Sequence, residues 1–153
     1  MQEPEVLEVL RTSTEEVLET MFFSYVLGDN SEAGAAPEEE SPATPSVSSR
    51  LSFRGAPSGV FEVSLSLPAA QSLAAGFLGE DEPELSPKQI GDVVCELANM
   101  LCGSILSHFS SASVFDLSHP ALTPRLDAAP ATRRCFEIPD GMLTVSLRFE
   151  EAA

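Results

Sequence analysis

The segment from Pro87 to about Phe109 restricts the possible folds of this chain more than any other feature. Ser86, Pro87 and Gln89 supply an N-cap, a first-turn proline and the second partner of a capping box. Apolar residues follow at helical spacing: Ile90, Val93, Val94, Leu97, Leu101 and Ile105. At about 100° of rotation per residue they gather on one face. The sequence therefore predicts a long amphipathic helix whose apolar face packs against a core.

The other side of this predicted helix presents four polar or small residues, which we call the polar row: Asp92, Glu96, Asn99 and Gly103. They fall within roughly 60° of one another on a helical wheel. A carboxylate and a carboxamide are thus placed one turn apart, and the glycine leaves the backbone accessible because it has no side chain. This arrangement suits insertion into a partner protein. The alternative is an ordinary solvated face, since acidic and amide residues are common on exposed helices.

Another helix is predicted near the N-terminus. The run from Ser13 to Glu16 has the form of a capping box, with a hydroxyl residue followed three positions later by glutamate. An apolar stripe at helical spacing follows it, made of Val17, Leu18, Met21, Phe22, Tyr25 and Val26. We therefore expect this helix to begin near Ser13.

The composition changes at about 29–49, where Glu, Ala, Pro and Ser dominate. Such a stretch offers too few large apolar side chains to offset the entropy lost on ordering. We expect an acidic, disordered connector there. The whole chain of 153 residues has the length of one ordinary domain, so 1–153 is predicted to be a single domain.

The remaining segments predict strands and one short helix. Leu51 to Arg54 and Val60 to Leu67 flank a Gly-Ala-Pro-Ser-Gly turn, and apolar residues alternate with polar ones in the second run. This pattern predicts a hairpin with one buried face, with Glu62, Ser64 and Ser66 on the other. Further predictions are a helix from Pro68 to Phe77 that stops at Gly79, and strands at Val114–Leu117, Arg134–Ile138 and Leu143–Phe149. This order predicts an α+β fold, an antiparallel β-sheet packed against α-helices.

Charge and composition exclude several classes of function. The formal net charge is −16 and Lys88 is the single lysine, so a surface that follows a phosphate backbone cannot be assembled. We expect no nucleic-acid partner. His108 and His119 lack nearby ligands at metal-binding spacing, so no metal site is expected in this chain. No serine lies in a nucleophile-elbow sequence, which makes a Ser-His-Asp hydrolase improbable.

The sequence also predicts a cytoplasmic protein. Its N-terminus is acidic and lacks the basic and apolar regions of a signal peptide. No run of eighteen apolar residues occurs. We therefore expect neither export nor membrane insertion. Cys95 and Cys102 lie seven residues apart on the predicted helix, about 10 Å and too far for a disulfide. Reduced thiols are therefore expected.

The polar row and a later proline carry a resemblance. Asp92, Glu96 and Asn99, with Pro120 separated from the asparagine by twenty residues, resemble the signature of the CheC, CheX and FliY family of chemotaxis phosphatases. In that family an Asp or Ser, a Glu, an Asn and a downstream Pro recur at closely similar spacing. The interval before Pro120 is slightly shorter here, so a small loop difference is expected. The resemblance covers about residues 12–150, except the acidic connector.

The resemblance implies hydrolysis of the aspartyl phosphate on a phosphorylated CheY-like response regulator. Asn99 would position the attacking water, and Glu96 would dock to a lysine of the regulator. Mg²⁺ is expected in the regulator and no cofactor in this chain. Asp92, Gly103 and Pro120 would contact the partner, although Gly103 could equally serve close helix packing and Pro120 could simply end a strand.

Two further expectations follow from the same resemblance. Some family members carry a second Glu-x2-Asn on the first helix, but the stretch from Thr12 to Leu27 contains no asparagine. One site per chain resembles CheX, which implies a homodimer that exposed edge strands could form. The alternative to an enzyme is a noncatalytic adaptor of the same fold that binds a response regulator or a motor component without turnover.

Overall fold

One antiparallel sheet organises the chain in the computed structural model, which describes residues 3–29, 45–55, 57–81, 84–109, 114–127 and 130–150. The elements in chain order are α1 Glu3–Met21, β1 Gly28–Asp29, β2 Ser46–Arg54, β3 Ser58–Ser66, α2 Leu67–Leu78, α3 Pro87–Phe109, β4 Asp116–Leu117, β5 Ala121–Thr123, β6 Thr132–Ile138 and β7 Gly141–Glu150. The sheet order is β1-β6-β7-β3-β2-β4, and β5 also pairs with β2. The predicted α+β fold is confirmed.

The core lies on one face of the sheet, where α1, α2 and α3 pack. Alternate residues of the four long strands point to this face because side chains alternate along a strand. Those residues include Leu51, Phe53, Phe61, Val63, Leu65, Phe136, Ile138, Leu143, Val145 and Leu147, all buried. Burial of this apolar surface in one cluster is the main favourable contribution to folding.

The predicted bounds of α3 are confirmed, and its start shows why. Ser86 Oγ accepts a hydrogen bond from Gln89 N at 3.1 Å, while Ser86 N donates to Gln89 Oε1 at 2.8 Å. Two backbone N–H groups are satisfied reciprocally, which is the predicted capping box. The short helix α2 is also confirmed. It ends at Gly79, whose φ of 68° is the left-handed conformation that favours glycine.

The predicted start of α1 is wrong. The helix begins at Glu3, and Ser13 and Thr14 lie in its middle, both fully buried. Thr14 Oγ1 donates to the carbonyl oxygen of Leu10 at 2.7 Å, so its hydroxyl bonds within the helix and does not cap it. The apolar face starts earlier than expected, at the buried residues Val6 and Leu10.

Two other predictions need correction. The hairpin does not leave its second face in solvent, because Glu62 is 3% exposed and Ser64 is also buried. Glu62 Oε2 accepts hydrogen bonds from Arg50 Nε at 2.9 Å and from Asp127 N at 3.0 Å, which satisfy the buried carboxylate.

Both ends of the expected connector are strand, since Asp29 belongs to β1 and 46–49 to β2. Residues 30–44 lie outside the described residues, and the connector there stays a prediction.

The side chain of Arg134 joins α1 to the edge of the sheet. Arg134 of β6 pairs with Asp29 of β1, and both side chains are largely buried. Arg134 Nη1 also donates to the carbonyl oxygen of Leu7 in α1 at 2.9 Å. Burial is the main cause that lowers the pKa of Arg134, although the guanidinium stays charged at neutral pH. This arginine therefore links three elements.

Replacing this arginine should destabilise the fold. Arg134→Met removes the ion pair and the bond to α1, and we expect the free energy of unfolding to fall by about 1–3 kcal/mol in urea titrations. Arg54→Met is the control, because Arg54 is exposed at the end of β2 with no ion-pair partner among the described residues, and it should cost about 0.5 kcal/mol or less. Equal losses in the two variants would contradict the linking role.

Candidate functional site

The polar row projects from α3 as predicted. Asp92, Glu96, Asn99 and Gly103 are all exposed. The apolar residues of the same helix are buried, among them Val94, Leu97, Leu101 and Ile105. The core thus fixes the rotation of the helix about its axis, and this rotation directs the acid and the amide outward.

Glu96 and Asn99 are available to a partner. In the described part of the chain, neither side chain has a hydrogen-bond or ion-pair partner. They lie three residues apart and so occupy adjacent turns of one helix face. A solvated carboxylate and a solvated carboxamide can exchange water for protein groups without breaking contacts inside this chain.

Asp92 differs from the other two because it already has a partner. Lys88 Nζ lies 2.9 Å from Asp92 Oδ2, one turn toward the start of α3, and both side chains are exposed. The hydrogen bond and the charge of Asp92 raise the pKa of Lys88. The only lysine of the chain therefore neutralises the first acid of the polar row. Among the described residues, Glu96 is the acid of the polar row that has no ion-pair partner.

Within the described residues, packing does not require a glycine at position 103. Apart from its chain neighbours and the nearby backbone of α3, a Cβ built at this position meets no described atom within 4 Å. Close packing of α3 against another helix, one of the two explanations left open by the sequence, therefore does not account for this glycine.

We expect Gly103→Ala to stabilise the isolated protein. Alanine is favoured over glycine inside helices by about 1 kcal/mol, and the added methyl group has open space. The free energy of unfolding measured in urea should rise by about 0.5–1 kcal/mol. Gly91→Ala, a second glycine substitution in α3, provides a comparison, because a Cβ there lies 2.7 Å from Leu122 Cδ1 and some of the gain is lost. A loss of stability in Gly103→Ala would contradict this account.

Pro120 lies in a bulge of the strand that borders β2. Leu117 pairs with Phe53 and Ala121 pairs with Arg50, so four steps along this strand face three steps along β2. The extra residue makes the segment between β4 and β5 a β-bulge, a position where a proline without an N–H is tolerated. Pro120 is half-buried there. The alternative explanation, that Pro120 ends a strand, is incomplete, because pairing with β2 resumes at Ala121.

The three cysteines form no disulfide. Cys102 is buried, and burial raises its pKa to about 12, so its thiol stays protonated at neutral pH. Cys95 is half-buried, and its sulfur accepts a hydrogen bond from Ser49 Oγ at 3.5 Å. Within the described residues no group of three or more His, Cys, Asp or Glu side chains is placed to hold a metal ion.

Many residues of α3 are apolar because one face of this helix is buried in the core. By length and composition this helix is the one candidate membrane span in the described part of the chain. Within its most apolar 18-residue window, 56% is buried inside the domain, and the polar row occupies its exposed side.

Sequence reasoning missed one residue beside the polar row. Leu122 of β5 lies against α3, where its Cδ1 is 2.7 Å from a Cβ built on Gly91. The strand β5 has three residues between two prolines, Pro120 and Pro124, too short for a recognisable alternation. The glycine directly before Asp92 was the available signal, because glycine inside a helix often marks a close approach.

Comparison with known proteins identifies a family. The profile of the family described as "Chemotaxis phosphatase CheX" matches residues 47–139. This range includes all of β2 but its first residue, the whole of β3 and α3, and Pro120. No curated protein sequence matches the chain at a significant level.

Solved structures share the fold. A chemotaxis protein CheX from Vibrio vulnificus is similar with a TM-score of 0.74 and 19% identity over 98% of this chain and 99% of that one. A CheX from Borrelia burgdorferi, solved as a CheX-CheY-BeF3-Mg²⁺ complex, gives a TM-score of 0.68 and 17% identity over 95% and 98%. The FliM middle domain from Vibrio alginolyticus gives 0.58 and 12% identity over 97% and 94%.

Proposed function

The chain belongs to the CheX family of chemotaxis phosphatases, and we propose that it hydrolyses the aspartyl phosphate of a CheY-like response regulator. The observation that carries this proposal is the pair Glu96 and Asn99. Both are exposed on adjacent turns of α3, whose opposite face is buried in the core. The B. burgdorferi structure, in which a CheX of the same fold is in complex with CheY, supports the choice of partner.

Asn99 is proposed to position the attacking water. An acyl phosphate is already activated, so in-line attack needs mainly an oriented water molecule and stabilisation of charge. A carboxamide has one acceptor oxygen and two donor hydrogens, and can therefore orient water without acting as a base. Its short side chain on a rigid helix loses little conformational entropy when it enters the regulator.

Glu96 is proposed to dock the chain to a lysine of the regulator. A carboxylate close to a phosphoryl group would repel it, so this residue is better suited to a charge-assisted bond with a cation than to catalysis as a base. Asp92 shares its charge with Lys88, which leaves Glu96 as the stronger anchor. Asp92, Gly103 and Pro120 are proposed to contact the regulator around this anchor.

The reaction would use Mg²⁺ held by the regulator and no cofactor in this chain. The complex from B. burgdorferi contains BeF3 and Mg²⁺ together with CheX and CheY. We further propose that the protein acts in the cytoplasm and forms a homodimer. The edges of the described sheet support sheet pairing, because β1 covers only the last residues of β6.

Removing the amide should abolish catalysis and spare the fold. In Asn99→Ala, we expect stimulated loss of phosphate from the regulator to fall at least about 100-fold, because an unoriented water attacks at the regulator's own rate. Phosphate release from a purified phosphorylated regulator measures this. Thr20→Ala is the control, since Thr20 lies exposed on α1 and its hydroxyl donates to the Glu16 carbonyl oxygen within the same helix at 2.6 Å. Unchanged turnover in Asn99→Ala would rule out the mechanism.

Neutralising the acid should weaken docking. Glu96→Gln is expected to raise the KM for the phosphorylated regulator about tenfold at low salt and by less at high salt, because a charge-assisted bond is lost. Glu19→Gln is the matched control, because it removes one exposed acid from α1 and changes the net charge equally. Equal effects of the two substitutions would show that only the overall charge matters.

A noncatalytic adaptor is the second candidate function. The similarity of the FliM middle domain shows that this fold is not confined to proteins described as phosphatases. Binding of the regulator with an unchanged lifetime of its aspartyl phosphate would favour the adaptor. A shorter lifetime at substoichiometric amounts of this chain would favour the enzyme.

A further inference from the structure

Leu122 packs on the backbone of α3 at the end of the polar row. Its Cδ1 atom lies 2.7 Å from a Cβ built on Gly91, and Gly91 directly precedes Asp92. The backbone of Leu122 pairs with Ser49, whose hydroxyl reaches Cys95 on the next turn of α3. The leucine therefore runs alongside the turn that carries Asp92, Cys95 and Glu96.

This leucine is not a core residue, although it touches the helix. Its exposed fraction is 55%, whereas the leucines of α3 are buried. Contact with the helix holds one side of its isobutyl group and leaves the other side in water. A single exposed apolar side chain is ordinary, but this one packs on the helix that carries Glu96 and Asn99, an exposed acid and an exposed amide without partners in the described chain.

Gly91 controls how deeply the leucine sits. Because glycine has no Cβ, the methyl groups of Leu122 approach the helix backbone closely. Any larger residue at position 91 would push the flexible end of the leucine outward. Together the two residues form an apolar shoulder, Gly91 with Leu122, at the N-terminal end of the polar row.

We propose that Leu122 is a specificity-determining contact for the phosphorylated response regulator. An apolar side chain of the regulator would pack on the shoulder when Glu96 and Asn99 enter the regulator's active site. This inference rests on the proposed function. Burial of the exposed half of the leucine would contribute affinity and would favour regulators with an apolar residue at that place.

The shoulder contributes to binding and not to chemistry. Leu122 bears no group that can orient water or stabilise charge, so its contact is the same before and during phosphoryl transfer. Uniform binding of this kind lowers KM and leaves kcat unchanged. A raised KM with an unchanged kcat in a Leu122 variant therefore indicates a recognition role. If Leu122 instead held α3 in place, its replacement would displace Asn99 and lower kcat.

The test measures KM, kcat and the dissociation constant for a regulator activated with beryllofluoride. Leu122→Ala should raise KM and the dissociation constant about tenfold and keep kcat within about twofold. Leu27→Ala is the matched control, because Leu27 directly precedes β1, at the opposite edge of the sheet from β5, with 53% exposure. It should change none of the three constants. Thermal unfolding of each variant checks that the fold is retained.

Gly91→Ala tests the shape of the shoulder without removing apolar surface. Alanine suits a helix, so the variant should fold, and displacement of Leu122 should raise KM about fivefold. In the Leu122→Ala background the same substitution should have no further effect, because no long side chain remains to be displaced. Independent, additive effects of the two substitutions would overturn the proposed shoulder.

Other outcomes decide between the two proposals. Unchanged KM in Leu122→Ala, or a lower kcat at constant KM, would overturn the recognition role while Asn99→Ala still tests the phosphatase. If the unmodified chain binds activated regulator without shortening the phosphate lifetime, the phosphatase proposal fails, and the dissociation constants alone decide the role of Leu122. If the unmodified chain binds no activated regulator, both proposals fail.

Discussion

Burial of one side of α3 in the core is the constraint on which the rest of the structure depends. Leu97, Leu101 and Ile105 lie in the core and are almost completely excluded from water. Rotation of the helix would expose these side chains, so their burial holds the helix in one orientation. Glu96 and Asn99 project outward as a direct consequence, with no need for contacts of their own.

A helix with one face held in the core and polar groups exposed on the other suits the proposed phosphatase, which acts on a phosphoryl group of a partner protein. In the proposed mechanism the regulator supplies the phosphoryl group and the Mg²⁺, and this chain adds an amide and an acid from a helix that is rigid before the encounter. Little conformational entropy is then lost on docking. The edge strand with its bulge brings Leu122 alongside the helix. On our proposals, affinity depends on Glu96 and Leu122, and catalysis depends on Asn99.

The sequence predicted the elements whose signals are local. A capping box and a long apolar period located α3 to the residue, and Gly79 marked the end of α2. It did not predict β1 and β5, because strands of two and three residues exist only through pairing with β6 and β2. The start of α1 was placed too late because Ser13 and Thr14 occur in caps and also fit, as small residues, inside a packed helix. Burial of Glu62 depends on Arg50 and Asp127, which only the fold brings together.

The most direct test of the central claim is a crystal structure of this chain bound to a cognate regulator activated with beryllofluoride and Mg²⁺. Our account predicts that the Asn99 carboxamide lies within about 3 Å of a water molecule in line with the phosphoryl mimic. Glu96 should form an ion pair with a lysine of the regulator in the same crystal. A complex in which both side chains remain in solvent, outside the regulator's active site, would contradict the account.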